Sequence, residues 1–229
     1  MNRLSAGHAR AAAEAAASPA GQRDLAKRAF DLTICLLALP FAIPVMLVVG
    51  LAIRLDSPGP ALFSQIRIGK SGRPFRLYKF RTCRNDHDTS GDLGFMRAYI
   101  QGLEPGNGSS PAKFKPDHRG KTTRVGQLLR ATSLDELPQL VNVARREMSL
   151  VGPRPNLPEE VEVYRPEHRR RLSVLPGITG LAQINGRSNL NFAEIVAYDI
   201  EYINSRNLKT DLLILVRTVI TLFRRTGVA

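Results

Sequence analysis

The sequence contains no tryptophan, and its aromatic share is only 6%. That is thin for a surface that stacks nucleobases. Cysteine is nearly as scarce: Cys35 and Cys83 stand alone and form no CxxC pair. A disulfide framework is thereby excluded, the cysteine usage fits a reducing compartment, and four scattered histidines exclude a zinc finger. Acidic residues are also in short supply, 20 against 33 lysines and arginines, which leaves a net charge of +13. Such an excess asks for an anionic partner: nucleic acid, a phosphorylated small molecule or an anionic membrane surface. Residues 1–22 are rich in alanine and lack large apolar side chains, so they read as a flexible arm. No cleavage site follows a hydrophobic segment there, so the arm is not read as a signal peptide.

What the chain does have is one long apolar run. Leu32 to Ile53 is 22 residues without a charge. As a helix it would measure about 33 Å, close to the hydrocarbon thickness of a bilayer. Arg23, Lys27 and Arg28 precede it, and Arg54, Arg67, Lys70, Arg73 and Arg76 follow. Basic residues on both flanks favour keeping both ends in the cytoplasm. Pro40 and Pro44 each remove a backbone donor in mid-segment, which suits a helix that enters, bends and leaves by the same face. A plain crossing stays open on the pattern alone, since spanning helices tolerate proline.

Beyond the DSPGP break at Asp56 to Pro60, the pattern becomes that of a soluble domain with short elements. Ala61 to Ser64 and Phe75 to Phe80 read as strands around a Gly69 to Gly72 turn. Arg84 to Gly120 reads as a long loop with one short helix near Phe95 to Gln101. Helical patterns follow at Thr123 to Arg130, Glu136 to Arg146, Glu159 to Ser173 (interrupted by Pro166) and Phe192 to Asn204. The last, Lys209 to Arg225, reads either as a basic amphipathic helix on a membrane surface or as a core helix.

Four polar motifs could carry chemistry. SLDELPQ, Ser133 to Gln139, reads as a helix start, with Ser133 or Asp135 as the N-cap. Asp135 and Glu136 would then lie where the helix dipole favours ionised carboxylates, able to hold Mg²⁺ or attack phosphorus as well as to cap. In GPRP, Gly152 to Pro155, two prolines stiffen the mount of Arg154, suited to gripping phosphate with two parallel hydrogen bonds. Pro176 to Gly180 and Asn185 to Arg187 read as tight turns, the second presenting Arg187. KFRT, Lys79 to Thr82, places Lys79 and Arg81 on one side of an extended segment, where they could meet a diphosphate.

Taken in order, these motifs resemble the bacterial sugar transferases that are monotopic phosphoglycosyl transferases. The matching stretches run from Lys27 to Val228: KRAFD, LDSPGPALFSQIRIG, FRLYKFRT, LLRATSLDELPQLVNV, MSLVGPRP, LPGITGLAQINGR and DLLILVRTVITLF. The resemblance implies transfer of a sugar 1-phosphate from a UDP-sugar to polyprenyl phosphate with release of UMP. It implies Asp135 as nucleophile and Mg²⁺ ligand, Glu136 as its supporting partner, and Arg154 as a phosphate contact. Lys79, Arg81 and Arg187 follow as further phosphate or nucleotide contacts. The family's helix breaks at a Ser-Pro pair, which places the break at Pro44 with Ile43 where serine usually stands. Leu181 replaces a common tryptophan, and Cys83 a common methionine.

The expectation is an α-rich α+β protein of the minimal-core type: an arm (1–22), a re-entrant membrane helix (23–55) and a cytosolic catalytic domain (56–229) with surface-lying amphipathic helices. Membrane lipid at the cytoplasmic face of a bacterial inner membrane is the expected setting, nucleic acid is not an expected partner, and a homodimer is left open. The competing reading is a membrane-tethered basic protein that binds nucleic acid or serves as a scaffold.

Overall fold

The computed structural model describes residues 19–84, 96, 99–100, 122–186 and 189–223. Residues 1–18 of the expected arm and most of the expected loop lie outside the described residues; of the expected short helix, Met96, Tyr99 and Ile100 are described and are helical. Helix α1, Pro19–Asp56, begins inside the stretch assigned to the arm and runs for 38 residues through Pro40 and Pro44. Its buried positions Asp31, Cys35, Ala42, Val49 and Ile53 recur at intervals of four and seven, which makes a single stripe. Off that stripe Leu37, Phe41, Leu47, Val48, Leu51 and Leu55 are 61–80% exposed. A core helix of a water-soluble protein would cover them, because each large apolar side chain left in water forgoes about 1.5–3 kcal/mol. The bare face therefore marks α1 as a helix for lipid contact rather than a core helix.

A hairpin follows. Strands β1 (Leu62–Ile68) and β2 (Pro74–Phe80) pair antiparallel, with Phe63 opposite Lys79, Gln65 opposite Leu77 and Arg67 opposite Phe75. β1 is longer than its sequence pattern suggested. Next come α2 (Arg124–Thr132), a 3-10 turn (Leu134–Glu136), α3 (Gln139–Ala144) and β3 (Ser149–Val151). The charged stretch breaks at Pro166 as expected, into α4 (Pro158–Glu162) and α5 (Pro166–Arg169), each with proline in its first turn, where no donor is needed. Strand β4 (Gly177–Thr179), α6 (Leu181–Ile184), α7 (Phe192–Ser205) and α8 (Leu208–Phe223) complete the described elements.

The stretch expected to be a turn at Pro176 to Gly180 is instead β4, paired parallel with β3. The glycines serve close approach: a Cβ on Gly177 would lie 2.1 Å from the backbone nitrogen of Gly152. The main core joins Cys35 of α1 to Leu77, Val143, Met148, Val151 and Ile214, and a second cluster joins Val49 and Ile53 to Phe80 and Leu129. Both ends of the apolar run thus pack against the same domain.

Polar contacts bolt the start of α1 down. Lys27 Nζ lies 2.6 Å from Asp31 Oδ1 and 3.2 Å from Asp211 Oδ2 of α8. Asp31 also accepts from the Leu150 amide, and Tyr202 donates to Asp211 at 2.8 Å. Arg28 donates to the Val143 and Ala144 carbonyls at the end of α3, where orphan carbonyls and the helix dipole favour a cation. The KRAFD motif is the helix side of this joint.

Asn142 fixes α3 against the hairpin. Fully buried, it accepts from the Tyr78 amide at 3.1 Å and donates to the Arg76 carbonyl at 2.7 Å and to Glu147 at 2.6 Å. It thereby acts as an extra rung on β2. Asn142→Leu leaves the part-buried Tyr78 amide and Arg76 carbonyl without this partner. Thermal and denaturant unfolding should show a loss of about 3 kcal/mol.

Candidate active site

Asp135 and Glu136 lie on the 3-10 turn Leu134–Glu136, which packs against β2. The turn departs from both helix-start readings of SLDELPQ. Ser133 takes a left-handed conformation (φ 56°) that ends α2 and makes no capping bond, and Pro138 is the residue that opens α3. The left-handed Ser133 ends α2 just before the dyad, so Asp135 and Glu136 stand on a separate 3-10 turn rather than in a longer helix.

Lys79 reaches the dyad from β2. Its Nζ is 2.6 Å from Glu136 Oε1 and 4.0 Å from Asp135 Oδ2. The Asp135 side chain is 14% exposed, Lys79 24% and Glu136 31%, so the aspartate is the least hydrated of the three. Burial pushes its carboxyl above the ordinary aspartate range, and the Glu136 charge adds to this, while Lys79 and Arg130 pull the other way. Arg130 is itself held by Thr82 Oγ1 at 3.0 Å and Cys83 Sγ at 3.2 Å. Cys83, which departs from the common methionine, therefore supplies a weak acceptor to that arginine.

The GPRP turn is anchored on three sides. Gly152 meets the β4 strand, where its amide donates to Thr179 O at 2.9 Å. Arg67 donates to the Pro155 carbonyl at 3.2 Å. Asn156 accepts from Tyr164 at 2.7 Å, and its carbonyl accepts from the Ile68 amide at 2.8 Å. Tyr164 in turn accepts from Arg171, whose Nε is 2.7 Å from Asp199 in a buried ion pair. On this mount Arg154 is exposed.

The sequence-derived residues thus separate. Asp135, Glu136 and Lys79 come together. Arg81 does not join them: only 5% exposed, it donates to the carbonyls of Ser57 and Pro58 and clamps the chain after α1. The two KFRT cations therefore have different partners, contrary to the expectation that both face one ligand. Pro44 is exposed within α1, and Arg187 lies outside the described residues. Sequence reasoning missed Arg67, Arg130 and Asn142 as site-building residues. Strand alternation from Lys79 through its partner Phe63 would have pointed to Arg67, four residues further along the same face. Nothing local marks the other two.

The family described as bacterial sugar transferase matches residues 22–225. The chain belongs to that family. It is 41% identical over 206 residues to the UDP-glucose:undecaprenyl-phosphate glucose-1-phosphate transferase of Caulobacter vibrioides, covering 86% of this chain and 69% of that protein. To the galactosyl transferase CpsE of Streptococcus agalactiae it is 40% identical over 204 residues, 89% of this chain and 43% of that protein. To the undecaprenyl-phosphate galactose phosphotransferase of Salmonella typhimurium it is 35% identical over 202 residues, 88% of this chain and 41% of that protein. The chain therefore spans less than half the length of the latter two relatives. As a bacterial sugar transferase it is an enzyme, and Asp135, Glu136 and Lys79 form its candidate reactive cluster.

A desolvated carboxylate reacts as a nucleophile or metal ligand only when ionised. Lys79 favours that form of Asp135 and burial opposes it. If Asp135 carries the chemistry, turnover should rise with pH as it loses its proton, and Lys79→Met should move this acid limb to higher pH. The pH profile of turnover measures it; an acid limb unmoved in a folded Lys79→Met enzyme would contradict that role.

Proposed function

We propose that the protein transfers a sugar 1-phosphate from a UDP-sugar to polyprenyl phosphate, such as undecaprenyl phosphate, at the cytoplasmic face of the bacterial inner membrane. The observation that carries this reading is the Asp135 carboxylate, poorly hydrated, beside Glu136 and within reach of Lys79. The names of the Caulobacter and Salmonella relatives support the acceptor and the donor class.

In the proposed reaction an Asp135 oxygen attacks the sugar-linked phosphorus. The bond from that phosphorus to the bridging oxygen breaks, and UMP leaves with the bonding electrons. An oxygen of polyprenyl phosphate then attacks the same phosphorus. The aspartyl ester breaks, the carboxylate is restored, and the sugar ends on a polyprenyl diphosphate. Two separate displacements of this kind give ping-pong kinetics. Glu136 would hold Lys79 beside the dyad through the 2.6 Å pair, and Arg154 would bind donor phosphate.

Mg²⁺ fits this donor set. Two neighbouring carboxylates are present, and among the described residues no cluster of three or more His, Cys, Asp or Glu offers a dedicated cage. Mg²⁺ is commonly held by one or two carboxylates, with substrate phosphate oxygens and water completing its shell. Asp135 would hold it, and when bound it supplies positive charge against the donor's diphosphate.

The membrane placement follows from α1. Packing of both Cys35 and Ile53 against one domain supports entry and exit through a single face, since opposite ends of a crossing helix could not share one soluble core. Leu212, Leu213, Val216 and Val219 of α8, all at least half exposed, support a second helix lying at the surface. A nucleic-acid-binding reading gains nothing from the site, which presents carboxylates at its centre.

Asp135→Asn should lower sugar-nucleotide turnover by about a thousandfold or more. Wild-type enzyme quenched with UDP-sugar alone should yield a tryptic peptide carrying the phosphosugar on Asp135. Mass spectrometry that places the adduct on another residue, or a fully active Asp135→Asn variant, refutes the assignment. For topology, single cysteines replacing Arg23 and Leu55 should both resist an impermeant maleimide in intact spheroplasts and both react after permeabilisation. Labelling of just one from outside would mean a crossing helix.

A further inference from the structure

Resting on the donor reading above, we propose that Arg67 is a positioning residue for the donor's phosphates, holding the Gly152–Pro155 turn in place and placing a second positive charge behind Arg154. Arg67 stands on β1 with its side chain on the sheet face shared by Gln65, Phe75, Leu77 and Lys79, as the register requires. Its guanidinium is forked between two neutral acceptors: Nη1 donates to the Pro155 carbonyl at 3.2 Å and Nη2 to Gln65 Oε1 at 2.7 Å. The Nε is buried and has no hydrogen-bond partner. Among the described residues no carboxylate forms an ion pair with Arg67.

That makes Arg67 unlike Arg171, the arginine buried beneath the same turn. Arg171 is buried against Asp199 at 2.7 Å, so its charge is cancelled inside the protein. Arg67 has its charge fixed in place and uncancelled, an arrangement that costs stability unless an anion arrives. Its environment says the same: burial and the neighbouring Arg154 lower its proton affinity, bringing its pKa to about 10, and the charges of Glu160, Glu159 and Glu136 offset only part of this. Two guanidiniums that disfavour one another and converge on one turn form a seat for a multiply charged anion. The dyad end of the same face begins at Lys79, whose partner Phe63 is four residues from Arg67, a backbone distance of about 13 Å. A nucleoside diphosphate with its sugar is long enough to reach from one group to the other.

Arg67 acts through the turn and through its field, so substrate affinity should respond more than the chemical step. The probe is UDP, titrated calorimetrically into the full chain in lipid nanodiscs, alongside steady-state kinetics with a UDP-sugar. Arg67→Gln should weaken UDP binding and raise the donor KM by about tenfold, with kcat changed by less than about threefold. Arg67→Lys, which keeps the charge but loses the fork, should recover most of that loss. Gln65→Ala, which frees Nη2 and leaves the charge, should cost about threefold in UDP affinity. Should Arg67→Gln not fold, Gln65→Ala still decides: wild-type UDP affinity in that variant overturns the proposal. A lowered melting temperature with unchanged UDP affinity in Arg67→Gln likewise reduces Arg67 to a structural residue. A wild-type protein that turns over a sugar nucleotide while these variants bind UDP normally sinks this inference alone. A wild-type protein that neither binds UDP nor turns over any UDP-sugar sinks the functional reading and this assignment with it.

Discussion

One ammonium group joins the parts of this protein that water rejects to the part that water accepts. Lys27 is shared between Asp31 on its own helix and Asp211 on α8, both carboxylates almost wholly buried. The two helices with bare apolar faces, α1 and α8, are therefore tied to each other and, through Leu150 and Tyr202, to the core beneath the site. An apolar contact could not do this alone. Lipid tails would satisfy the exposed leucines of either helix equally well in any orientation, whereas a buried charge pair is satisfied in only one. The network thus specifies how the catalytic domain faces the lipid.

That orientation matters because the two proposed substrates dissolve in different phases. A carboxylate at the boundary needs to be dry enough to react and wet enough to ionise, and Asp135 sits between these limits at 14% exposure. The compromise is built by short elements. A left-handed serine ends α2, a single 3-10 turn presents the dyad, and a buried proline starts α3. Asn142 then fixes α3 to β2, the strand that delivers Lys79. The ammonium and the two carboxylates meet because one asparagine completes a strand edge seven residues away from Asp135.

Much of this was legible in the sequence, and the illegible part has a common cause. The apolar run of α1, the hairpin, the break at Pro166 and the helices α7 and α8 follow from periodicity and proline, which are local signals. SLDELPQ and KFRT mark the dyad and Lys79 as polar motifs in the sequence itself. Pro176 to Gly180, which holds β4, reads as a turn in the sequence because glycine in a turn and glycine in a close backbone approach look the same; the second needs the partner strand to be known. Arg81 looked like a ligand contact because KFRT alternates correctly, yet the carbonyls of Ser57 and Pro58 that take its protons lie more than twenty residues earlier. Capping was the natural reading of SLDELPQ, and it fails because Ser133 takes a left-handed backbone that no residue pattern announces.

The net charge of +13 looked at first like the protein's clearest functional signal, but its positive residues differ in what their charge is free to do. Arg28 and Arg81 are fixed on backbone carbonyls and clamp the chain, and Arg171 is neutralised by Asp199. Arg171 can lend little field to a ligand, although it counts toward the total. Arg67 has neutral acceptors and no paired carboxylate among the described residues, and Lys79 already leans toward the dyad. On the proposed reading, Arg67 thereby keeps its charge for a diphosphate that would extend toward Asp135. A uniformly basic surface would bind any polyanion, whereas a single unpaired guanidinium on one sheet face favours a small anion.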